Sequence, residues 1–142
     1  MKVLLFAMGP TPPGEAFVSG VTALHESGAS VRLISRGAPA PALAALLDEV
    51  VVVPTRTREL RLPAGMRLPR PLAPLRKLRA DPGRLACAVR TSFGSRTRAL
   101  VAAADVLVAV DEAAIPAVWL AARRNRSAAA LDGVPAAVSR LV

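Results

Sequence analysis

The chain has 142 residues, about one ordinary domain, which leaves no room for a second full core. Hydrophobic residues make up 53% of it, which excludes disorder, yet no apolar run approaches the roughly 18 residues of a membrane span. The formal charge of +9 belongs to one segment: residues 56–98 hold eleven arginines and Lys77 against Glu59 and Asp81, while the rest carries seven basic and eight acidic residues.

The run Val3 to Met8 is continuously apolar, as in a strand buried on both faces of a parallel sheet. It is too short and too weakly flanked by basic residues to be a signal segment. The breaker-rich loop Gly9-Pro10-Thr11-Pro12-Pro13-Gly14 comes next. Phe17, Val18, Val21, Leu24 and His25 then recur at helical spacing until Gly28. Val31 to Ser35 reads as a second strand, Pro41 to Leu47 as a short helix, and Glu49 to Val53 as a third strand closed by Pro54.

Residues 54–74 hold five prolines and Gly65 without a period, which predicts a long loop inside the basic segment. Helical patterning returns from Leu75, breaks at Asp81-Pro82-Gly83, and resumes through Leu85, Cys87, Val89, Leu100 and Ala103, with a kink expected at Ser92-Phe93-Gly94. Asp105 to Asp111 is a strong strand. Glu112 to Arg126 is a helix with Ile115, Val118, Trp119 and Ala122 on its inner face, and Trp119 is read as a core residue. Ala128 to Leu131 is a weak fifth strand, and Pro135 to Leu141 a last short helix.

This alternation predicts a single Rossmann-like α/β domain over 1–142: three layers, with a mostly parallel sheet of about five strands. In such sheets ligands bind outside the carboxyl ends of the strands, here residues 9 to 15, Ser35 to Gly37, Asp111-Glu112 and Asp132-Gly133. Asp111 and Glu112 suit a substrate hydroxyl, and Asp111 equally suits an N-cap of the next helix; Gly14 and Glu15 carry the same two readings.

The chemistry open to such a site is restricted. Prolines strip the first loop of amide donors, there is no G-x-G-x-x-G and no Walker A sequence, and NAD and ATP are not expected. With one histidine and one cysteine, no metal site is expected. His25 reads as a helix-terminus residue and Cys87 as a small core residue in a reducing cytoplasm. No cofactor is expected.

The opening Met1-Lys2-Val3-Leu4-Leu5-Phe6, the Pro/Gly loop ending in Gly14-Glu15, and the stretch Ser27-Gly28-Ala29-Ser30-Val31 leading into the second strand resemble the start of GT-B-type glycosyltransferases. Ala104 to Asp111 and the Ala-rich helix after it look like the same family's fourth strand and following helix. The histidine usual in that family after the glycine is Ala29 here.

The resemblance implies an acceptor-binding amino-terminal half, with the nucleotide-sugar donor held by a donor-binding domain or subunit. On that basis Gly14, Glu15, Asp111 and Glu112 are acceptor-side positions, and the chain alone transfers no sugar. Glycosyltransferases acting on lipid-linked acceptors often carry a basic, apolar surface on this half. Arg67, Arg70, Arg76, Lys77 and Arg79, interleaved with leucines, fit either an anionic membrane surface at the inner face or a solvated basic face. The alternative function is a degenerate, non-catalytic domain that binds a partner or forms a homodimer. Nucleic acid is not the expected partner, because aromatics are 3% of the chain and stacking platforms are scarce.

Overall fold

The computed structural model describes residues 1–11, 13–53 and 94–141. The expected Pro-rich loop, the start of the helical stretch near Leu75, the break at Asp81-Pro82-Gly83, Ser92 and Phe93 of the expected kink, Cys87, and the basic residues Arg67, Arg70, Arg76, Lys77 and Arg79 lie outside these, whereas Gly94 is described as the N-cap of the helix Ser95–Ala103.

Five strands, β1 (Lys2–Ala7), β2 (Ser30–Ser35), β3 (Glu49–Val52), β4 (Val106–Ala109) and β5 (Ala129–Asp132), form one sheet in the order β3-β2-β1-β4-β5. Every pairing is parallel, so the mostly parallel expectation becomes an all-parallel sheet. The central strands are the apolar ones because they are covered on both faces: β1 is buried from Val3 to Ala7, and β4 throughout. The edge strands β3 and β5 are half-buried or exposed along their lengths, which is why β5 carries only a weak apolar signal.

The helices are α1 (Glu15–Glu26), α2 (Pro41–Ala44), α3 (Ser95–Ala103), α4 (Ile115–Arg124) and α5 (Val134–Leu141), with a 3-10 turn at Glu112–Ala114. From β1 the sheet grows first through β2 and β3 and then, in the opposite direction, through β4 and β5. Right-handed crossovers therefore require helices on both faces. One core unites Phe17, Val21 and Leu24 of α1, Leu43 of α2 and Val134 and Ala137 of α5 with Val3, Leu5, Val31 and Leu33. The other unites Leu100 and Val101 of α3 and Ala117, Val118 and Ala121 of α4 with Leu4, Phe6, Ile34 and Leu107. The domain is thus a three-layer, Rossmann-like sandwich.

Local chemistry sets where the elements stop. Gly28, at φ +77°, takes the left-handed position after α1, with its amide bonded to His25 O and that of Ala29 to Leu24 O. Those two bonds satisfy carbonyls that α1 leaves open and turn the chain straight into β2. His25 lies exposed in the last turn, where a positive partial charge complements the helix dipole.

The helix expected over Glu112 to Arg126 differs from the observed one. Glu112–Ala114 forms a 3-10 turn, so the α-helix itself starts only at Ile115. The buried face of α4 is Pro116, Ala117, Val118 and Ala121, while Ile115 is 46% exposed. Small residues face the sheet, so the helix lies close to it. Trp119 stands half-buried at the flank, with the Arg123 guanidinium carbon 4.9 Å from its ring centroid.

Candidate functional site

Asp111 follows β4 at its carboxyl end, at the point where the strand order reverses beside β1. Its Oδ1 accepts from the Ala114 amide at 2.9 Å, capping the 3-10 turn. Its Oδ2 accepts from the Gly9 amide at 2.9 Å, across 102 residues of chain. Both carboxylate oxygens are therefore committed to backbone donors. The crevice between β1 and β4, where an open parallel sheet ordinarily receives a ligand, is bridged by this clamp. Sequence reasoning anticipates the cap but not the clamp, since nothing local to Asp111 points to Gly9.

The open space lies one strand over. A cavity of about 350 Å³ sits at the carboxyl ends of β1 and β2. Ala7, Gly9, Pro10 and Thr11 bound it from β1, Leu33, Ser35 and Arg36 from β2, and Pro13 and Val18 from the α1 side. The connection Gly37-Ala38-Pro39-Ala40 and Leu43 of α2 close it. The wall is mostly aliphatic and proline, with Thr11 and Ser35 the hydroxyls and Arg36 the one ionisable group among these residues. The Ser35 hydroxyl, nearly buried, donates to Gly37 O at 2.6 Å and so holds the turn that forms the rim. Arg36 is half-buried and donates from Nη1 to Met8 O at 3.4 Å, a long bond.

The expected acceptor-side residues fall around the cavity rather than in it. Gly14 is the N-cap of α1 and makes no side-chain cap, and Glu15 stands exposed in the first turn. Glu112 is exposed in the 3-10 turn, and Asp111 reaches the cavity only through Gly9. None of these four lines the cavity, so the structure does not gather them into one site. Of the strand-end positions the fold class marks for ligands, Gly9, Pro10, Thr11 and Pro13 after β1 and Ser35 to Gly37 at the end of β2 do line it. What identifies Arg36 in the sequence is its place one residue past the second strand.

Among the described residues no group of three or more histidine, cysteine or carboxylate side chains is placed to hold a metal ion, and no helix is long and apolar enough to cross a membrane. No family model, no curated protein and no solved structure matches the chain.

Proposed function

We propose that this chain is the acceptor-binding half of a two-domain, GT-B-like glycosyltransferase, and that the acceptor enters the cavity at the ends of β1 and β2. The observation that supports it is the place and make-up of that cavity. It opens at the carboxyl edge of an all-parallel sheet, beside the first loop and the start of α1, with an apolar wall and few polar groups. Its volume of about 350 Å³ falls at the lower end of the roughly 300–1,000 Å³ of small-molecule pockets.

On this reading the donor is held by another domain or subunit, so the chain binds acceptors without transferring sugar. The basic segment 56–98 holds the acceptor side against an anionic membrane surface at the cytoplasmic face. The competing reading, a non-catalytic interaction domain, calls for a contiguous apolar patch. The exposed large hydrophobic residues among those described are three: Met1, just before β1, Val52 at the end of β3 and Ile115 at the start of α4.

Calorimetric titration of the purified chain with a panel of nucleotide sugars, and separately with anionic lipid vesicles, tests the proposal. No nucleotide-sugar binding, together with vesicle association lost at high salt, is expected. Tight nucleotide-sugar binding by the chain alone would overturn it.

A further inference from the structure

Taking that cavity as a ligand site, its electrostatics narrow what it accepts. Among the described residues Arg36 is the one charged side chain lining it, and no carboxylate is among the lining residues. A guanidinium carries five N–H donors in a planar fork. Among the described residues, the Arg36 side chain makes a single hydrogen bond, the long one to Met8 O, and no ion pair. The nearby acidic residues lie outside the lining: Asp111 commits both oxygens to backbone amides, and Glu15 is exposed in the first turn of α1. A half-buried cation beside aliphatic walls is thus left with most of its donors unused. Carboxylate and phosphate oxygens match the fork's geometry, and the bond gains strength where the surroundings exclude water. Apart from the Thr11 and Ser35 hydroxyls, the side chains of the remaining wall, Ala7, Pro10, Pro13, Val18, Leu33 and Leu43 among them, offer apolar contact.

We propose that the cavity binds an amphiphile, a small molecule with an apolar body and a carboxylate or phosphate group, and that Arg36 pairs with the anionic group while the body lies against Leu33, Val18 and Leu43. The proposal deepens the acceptor-site reading and rests on it. The anion selects orientation, placing the charged end at the rim formed by Arg36 and Gly37 and the apolar end towards α2.

The test is calorimetric titration of the full chain with 1-naphthyl phosphate, 1-naphthoate, 1-naphthol and inorganic phosphate. The anionic naphthyl compounds are expected to bind at least about tenfold tighter than 1-naphthol, with inorganic phosphate far weaker. Arg36→Gln is expected to abolish that preference without changing the melting temperature, and Arg36→Lys to keep part of it. Arg123→Gln, which removes a cation stacked on Trp119 away from the cavity, is expected to change nothing. Ala40→Trp, which places a large side chain in the wall, is expected to block all the naphthyl compounds.

Equal binding of 1-naphthol and its anionic relatives, blocked by Ala40→Trp, would overturn the role of Arg36 and leave the cavity as a ligand site. Inorganic phosphate binding as tightly as 1-naphthyl phosphate would overturn the amphiphile. Anion preference surviving in Arg36→Gln would also contradict the proposal. Binding of none of the naphthyl compounds would overturn both this proposal and the cavity reading beneath it.

Discussion

Asn125 ties three segments together through one buried side chain. Its Nδ2 donates to the carbonyls of Val101 and Ala104 at 2.7 and 2.8 Å, closing the end of α3, and its Oδ1 accepts from the Ser127 hydroxyl and the Ser127 and Ala128 amides. Removing it takes a donor from two buried carbonyls and an acceptor from the part-buried donors of Ser127 and Ala128, and the buried pair carries most of the cost. Asn125→Ala is expected to lower unfolding free energy by about 2–4 kcal/mol in urea titrations. Asn125→Asp should be at least as damaging, because a carboxylate turns two donors into acceptors facing carbonyls. Equal stability of all three proteins would contradict the network. Asp111 acts on a smaller scale. Asp111→Ala is expected to cost about 1–2 kcal/mol through loss of the cap and the Gly9 bond, with hydrogen exchange at the Gly9 amide accelerated. Its cap is legible in the sequence because an acidic residue precedes a helical run. Its clamp on Gly9 is not, because only tertiary folding brings β1 and β4 side by side.

At the scale of elements, α1 and α5 approach on the same sheet face through a glycine. A Cβ at Gly20 would lie 2.6 Å from Val134 Cγ1, inside contact distance. Gly20→Ala is expected to destabilise by about 1–3 kcal/mol through overpacking, and Val134→Ala in the same chain to recover most of that loss. Additive losses in the double variant would show that the two helices do not meet there. The Arg96 to Glu49 ion pair, 2.7 Å between Nε and Oε1, links α3 to β3 but is 68% exposed on the arginine side. Arg96→Ala is therefore expected to change stability by less than about 1 kcal/mol. The elements the sequence renders most plainly are β1 and β4, whose apolar runs are continuous because both faces are covered. The inner face of α4 is rendered in part: Val118 is buried and Ala122 packs against the core, whereas Ile115 is exposed and Trp119 half-buried, because apolar periodicity favours large side chains over the small Ala117 and Ala121 that take the sheet-facing positions.

Across the whole molecule, alternation of strands and helices carries the fold class without any matching protein, because parallel strands need crossovers and crossovers need covered faces. The site is less legible. Strand ends mark Gly9 to Glu15, Ser35 to Gly37, Asp111-Glu112 and Asp132-Gly133 alike, and only the three-dimensional arrangement separates them. Asp111 closes the β1–β4 crevice, whereas the Gly37 to Ala40 connection leaves space between the ends of β1 and β2. The most direct test of that distinction is a map of backbone amide shifts in the nitrogen-15-labelled chain titrated with 1-naphthyl phosphate. Saturable shifts at Gly9, Thr11, Arg36, Gly37, Ala38 and Ala40, with Glu112, Ala113, Asp132 and Gly133 unmoved, are predicted. Shifts confined to the Asp111 and Gly133 side would place the ligand in the β1–β4 crevice and contradict the account.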